Sequence, residues 1–94
     1  NGMRETESTE TIKLRLYWDK KTWLRFTTAN SIVSSNAEVM IIGYLTDLVK
    51  IQNAQYVKLI QEQAYMNYNF VLDGEPYPHG FGKNRYFMGF LKRA

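Results

Sequence analysis

The stretch TIKLRLYWDKKTWLRF, residues 11–26, determines how the rest of the chain is interpreted. Apolar residues occupy most of its even positions, and cations and aromatic rings occupy most of its odd positions. Strict alternation of this kind is the pattern of a half-buried β-strand. The pattern predicts two strands, 11–18 and 22–28, joined as an antiparallel hairpin by the short polar loop at 19–21.

The outward face of this predicted hairpin has the composition of a binding surface. Directly opposed residues share a face, so Tyr17 should face Trp23 and Arg15 should face Arg25. Cations beside aromatic rings suit anionic or ring-bearing partners. We therefore predict a binding surface that combines this face with the loop at 73–84. Its candidate partner-binding residues are Lys13, Arg15, Tyr17, Trp23, Arg25, Tyr77, His79, Lys83 and Arg85.

The second half of the chain predicts two helices followed by two strands. Ser35 and Glu38 have the spacing of a capping box, and apolar residues recur at intervals of three and four after them. A second apolar stripe is rotated by about a quarter of a turn, which favours two helices, 36–51 and 54–67, over one. Residues 68–72 and 85–91 are rich in strand-forming residues, and the segment between them is rich in proline and glycine.

These elements predict an α+β fold: a single small domain of ββααββ order, with a mostly antiparallel sheet and a helical pair packed on one face. The domain should cover residues 11–94. Residues 1–10 are polar and lack periodicity, so we expect a disordered N-terminal tail there.

Composition limits the classes of site that the chain can build. Its 94 residues include no cysteine and a single histidine, His79, so we expect no disulfide, no metal site and no cofactor. The net charge is +3, and residues 11–28 alone carry five cations against one carboxylate. The longest apolar run has seven residues, against the roughly 20 that cross a bilayer. We expect a cytoplasmic protein with neither a membrane span nor a secretory signal.

Three functions follow from these features. The favoured one is a non-catalytic protein-interaction module that binds a partner, for example an acidic one, and a second copy of the chain is a further candidate partner. The alternative is a domain that binds single-stranded nucleic acid. The third is a metal-independent ribonuclease, because His79, Lys83, Arg85 and Tyr86 lie within eight residues of one another. The chain also resembles RNA-cleaving toxins of toxin–antitoxin pairs in its size and charge.

Overall fold

The computed structural model describes residues 9–26, 36–79 and 85–94, and of residues 24–26 only the backbone. These residues form a small α+β domain with a five-stranded antiparallel sheet. The strands and α-helices, in chain order, are β1 (Leu14–Tyr17), α1 (Lys20–Phe26), β2 (Val39–Tyr44), α2 (Leu48–Asn53), β3 (Phe70–Leu72), β4 (Tyr77–His79) and β5 (Tyr86–Arg93). Two short 3₁₀ turns lie at Leu45–Asp47 and Gln63–Tyr65.

Strands β2 and β5 form the centre of the sheet and are apolar on both faces. They pair from Val39 opposite Leu91 to Tyr44 opposite Tyr86, and β1 flanks β2 on the outer side. Residues 39–41 and 87–91 are all buried. A continuous buried apolar run is typical of a strand that is covered on both sides. The sheet therefore needs other elements packed against each of its faces.

Strands β3 and β4 share the other edge of β5. Leu72 pairs with Leu91, and Tyr77 pairs with Met88, so four edge residues stand opposite two residues of β5. The extra residues form a bulge at 73–76, where Gly74 adopts a φ of 85° that few other residues tolerate. The predicted irregular loop at 73–84 is therefore wrong for Tyr77–His79, which form a strand.

The face of the sheet that carries the odd-numbered residues of β2 and β5 is the back face. Its core is covered by α2 and by the segment that follows α2, through Ile51 and Leu59. Half-buried apolar side chains pack around this core. One of them, Trp18, stacks on Tyr65 with ring centroids 4.4 Å apart. The back face is thus the larger of the two cores.

The opposite face, the front face, carries the even-numbered residues of β2 and β5 and is covered by α1. Trp23 is 1% exposed and packs against Met40, Met88 and Phe90. Its indole Nε1 donates a hydrogen bond to the carbonyl oxygen of Tyr17 at 2.6 Å, and its ring meets Phe90 edge-on at 5.2 Å. One aromatic side chain therefore fixes the helix to the sheet.

The predicted hairpin of strands 11–18 and 22–28 is wrong in its pairing and in its second strand. Part of the first strand is found as β1, and residues 27 and 28 lie outside the described residues. Residues 20–26 form α1, and the partner of β1 is β2, with Leu16 opposite Ile41. Pairing with β2 leaves β1 without a hairpin partner, and Asp19 caps the helix that follows: its carboxylate accepts the backbone N–H of Lys21 at 3.0 Å. Trp23 consequently points into the core, so its predicted position on an outward face is wrong.

The two predicted helices, 36–51 and 54–67, are also wrong over most of their length, so the ββααββ order is not found. Residues 39–44 form β2, and the backbone N–H of Glu38 donates to the carbonyl of Leu91 at 2.8 Å. Val57 exchanges two backbone hydrogen bonds with Phe70, which removes it from any helix. Ser35 of the predicted capping box lies outside the described residues. No helix in the described ranges is long and apolar enough to cross a membrane.

Gly43 marks the closest approach of two strands on the back face. A Cβ atom at this position would lie 2.5 Å from the Phe87 ring and 2.9 Å from Cδ2 of Leu14. Gly43→Ala should therefore lower the free energy of unfolding by about 1 to 3 kcal/mol, measured by urea denaturation. Adding Phe87→Leu should make the double variant less destabilised than the sum of the two single variants. Additive losses would contradict the predicted contact.

Trp23 provides a second test of the fold. Trp23→Ala should lower the free energy of unfolding by about 3 to 5 kcal/mol, because it leaves a cavity between α1 and the sheet. Trp23→Phe keeps an aromatic ring but leaves the Tyr17 carbonyl without its indole donor, so it should cost about 1 to 3 kcal/mol. An alanine variant as stable as the parent chain in a urea titration would show that α1 does not cover the front face.

Candidate binding site on the open sheet face

The part of the front face that α1 does not cover is crossed by three side chains on adjacent strands. His79 of β4 pairs with Tyr86 of β5, and Tyr86 pairs with Tyr44 of β2. These three residues are called the aromatic row. Leu14 pairs with Gly43, so Lys13 is the next residue in line beside Tyr44. The row therefore crosses the two central strands and extends toward both edges of the sheet.

The two tyrosines of the row stack on each other at the surface. Their ring centroids are 6.0 Å apart with an interplanar angle of 29°. Tyr44 is 52% exposed and Tyr86 is 43% exposed, although Gly43 and Phe87, the strand residues next to them, are buried. Central strands ordinarily bury side chains of this size. The sheet thus presents two neighbouring aromatic faces to the outside.

Cationic side chains accompany the tyrosines on this face. Arg15 pairs with Ile42, which is two residues from Tyr44, and both Arg15 and Lys13 are exposed. Neither cation forms a salt bridge with any residue that the structure describes. None of the five strands contains an aspartate or a glutamate, so the strands contribute no carboxylate to the front face. The acidic residues near them in the chain lie in turns and loops. The open part of the face therefore combines aromatic surface with positive charge that no carboxylate among the described residues pairs with.

A second aromatic cluster, at the opposite end of β5, shows the contrasting arrangement. The guanidinium of Arg93 lies 4.3 Å from the ring centroid of Tyr68 and 5.7 Å from that of Tyr65. Its Nε also donates to Oε2 of Glu38 at 3.1 Å. The Arg93 guanidinium is thus already paired with a carboxylate and lies against two aromatic rings. Its contacts support a structural role, since they join β5 to the segment before β3.

The structure brings together four of the residues that the sequence predicted for partner binding: Lys13, Arg15, Tyr77 and His79. The register places Arg15, Tyr77 and His79 on the front face, with Tyr77 half-buried beside α1 and opposite Met88. The predicted residues from the first strand and from the 73–84 loop thus share one face, although the hairpin that first suggested the face does not exist.

The other predicted site residues lie elsewhere or outside the described part of the chain. Trp23 is in the core, and Tyr17 is half-buried against it. Arg85 is exposed just before β5, where its carbonyl oxygen accepts the backbone N–H of Leu45 at 3.0 Å. The side chain of Arg25 and the whole of Lys83 are outside the described residues.

Tyr44 and Tyr86 were not predicted as site residues. Tyr44 was assigned to the apolar stripe of a helix, and Tyr86 was considered only for the ribonuclease alternative. The available signal was a tyrosine near the end of one apolar run and at the start of the other, in GY at 43–44 and RY at 85–86. Once both runs are interpreted as antiparallel central strands, the two tyrosines fall on one face.

A shallow concavity of about 410 Å³ lies beside the bulge and is lined by Gln52, Leu72, Gly74, Glu75 and Pro76. Glu75 is its one charged lining residue. Within the described ranges, no three histidine or acidic side chains come together in a way that could hold a metal ion. This concavity offers less binding chemistry than the aromatic row.

Comparisons with protein-family models, with curated proteins and with solved structures found no match to this chain. The interpretation of the aromatic row therefore rests on its own geometry.

If the aromatic row is a binding site, its tyrosines should contribute little to stability. Tyr44→Ala and Tyr86→Ala should each lower the free energy of unfolding by less than about 1 kcal/mol. A double-mutant cycle should give a coupling free energy of about 0.2 to 1 kcal/mol for the stacked pair. Thermal or urea unfolding measures both quantities. A loss above about 2 kcal/mol for either variant would instead make the pair part of the structural core.

Proposed function

We propose that this chain is a non-catalytic binding domain and that a macromolecular partner docks on the aromatic row. The observation that carries the proposal is the stacked pair of Tyr44 and Tyr86, exposed on the two strands that are otherwise the most buried in the sheet. Tyrosine is enriched in binding surfaces because a rigid ring supplies a large contact area with little loss of side-chain entropy.

The cations beside the tyrosines define the chemistry of the partner. Arg15 and Lys13 are exposed and lack a carboxylate among the described residues, so an anionic partner would gain charge-assisted contacts there. The rings favour planar or apolar groups on the same partner. The proposed partner therefore carries negative charge next to planar groups, as both an acidic aromatic protein segment and a single-stranded nucleic acid do.

The direct test is capture from a lysate of the source cells, with the full chain as bait and both protein and nucleic acid identified in the eluate. The double variant Tyr44→Ala/Tyr86→Ala should lose the captured partner while its unfolding midpoint stays close to that of the parent chain. Tyr56→Ala is a matched control, because Tyr56 is similarly exposed, at 49%, and lies outside the sheet.

Capture that is unaffected by the double variant would contradict the proposed site. Loss of capture by Tyr56→Ala to the same extent would contradict it as well, because the effect would then follow from exposed tyrosine in general. Size-exclusion chromatography of the parent and variant chains separates a second copy of this chain from a different partner.

A further inference from the structure

We infer that the ligand of the aromatic row is a single-stranded nucleic acid, an inference that rests on the proposed binding function and adds the class of ligand. It depends on three properties of the described residues: the exposed ring faces of the row, the position of the β1 cations and the small amount of exposed aliphatic surface. Each property separates a nucleic acid from an acidic protein segment.

The row presents the faces of two stacked rings at the surface. Tyr44 and Tyr86 project from paired positions of two neighbouring strands, their ring centroids are 6.0 Å apart, and both side chains are exposed. Protein partners usually obtain their affinity from a few side chains that fill desolvated pockets. Unpaired bases need only exposed aromatic faces, since every base has a flat surface that can stack on a ring.

The cations are placed where a backbone would pass beside stacked bases. Lys13 follows Tyr44 in line across the sheet, and Arg15 is one position further along the same strand face. Neighbouring strands are about 4.8 Å apart, so the rings and the β1 cations lie within one or two strand spacings of each other. A chain of phosphates can contact these cations while its bases cover the rings.

The exposed surface around the row contains little aliphatic area. Ile42 is half-buried, and Met88 is fully buried beneath its neighbours. The centre of a typical protein–protein interface is apolar and poor in charge. A row of rings edged by cations is closer to the composition of single-strand binding sheets, which combine stacking with electrostatic attraction to phosphates.

Fluorescence anisotropy with labelled 12-nucleotide oligouridylate and oligothymidylate, at about 50 mM salt, tests this inference. A labelled duplex of equal length and an acidic peptide that alternates glutamate with tyrosine serve as competing ligands. The parent chain should bind the single strands more tightly than the duplex. Tyr44→Ala and Tyr86→Ala should each weaken single-strand binding by roughly 5- to 100-fold, while Tyr44→Phe, which keeps the ring, should bind like the parent.

The salt dependence tests the cations separately. Arg15→Gln should reduce the slope of log affinity against log salt by about 0.7, the change expected for one lost phosphate contact on a single strand. Lys58→Gln is the matched control, because Lys58 is equally an exposed cation in a segment that joins β3 near the far end of β5. The control should leave both the slope and the affinity unchanged.

The possible outcomes are distinct. If the oligonucleotides fail to bind but the acidic peptide binds in a manner that depends on Tyr44, the ligand class is wrong and the proposed binding site stands. If oligonucleotides bind equally to the parent and the tyrosine variants, or if the duplex binds as tightly as the single strands, the stacking inference is overturned. If neither ligand binds and the lysate capture is also unaffected by the tyrosine variants, the proposed function fails as well.

Discussion

The pairing of β2 with β5 is the constraint on which the rest of this structure depends. Both strands are apolar on the two faces of the sheet, so neither face can be left open to water along its whole length. The back face is covered by α2 and the long segment between β2 and β3, and the front face by α1. The fold is therefore a sheet between two unequal covers, and its stability depends on how each cover is fixed.

The candidate site exists because α1 covers less of the front face than α2 and the segment after it cover of the back face. α1 has seven residues, and its Trp23 reaches Met40 and Phe90 of the sheet. A helix of this length extends for only about 10 Å. It covers one end of the front face and leaves the other end, with Tyr44 and Tyr86, outside the core. The same cationic strand that carries Arg15 borders this open end, which places charge and aromatic surface together.

The sequence was sufficient for the class of fold and for β5, but it was not sufficient for the topology. Residues 85–91 are predicted as a strand because they are apolar on both faces, as in a strand that is covered on both sides, and the observed strand is Tyr86–Arg93. Residues 39–44 have the same apolar character, yet the run continues into apolar residues of the 3₁₀ turn and α2 that happen to fit a helical period. Periodicity alone cannot separate a short buried strand from a helix.

The local signals around Asp19 were similarly ambiguous, because aspartate both forms turns and caps helices. The outcome is decided by the distant pairing of β1 with β2, which no local pattern encodes. Only part of the candidate site could be predicted from the sequence, for the same reason. The outward positions of Lys13 and Arg15 follow from the alternation of the first strand. The neighbouring positions of Tyr44 and Tyr86 follow from the β2–β5 register, so they could be recognised only after the strands were paired.

The bulge at 73–76 also affects how copies of this chain can associate with one another. It divides the edge beside β5 into two strands of three residues each, and the second of these contains Pro78, which has no N–H to offer. An edge this short and irregular is a poor template for the strand of another molecule. On this side of the described sheet, the strongly apolar central strands are therefore bordered by an edge that gives little support to fibrous stacking.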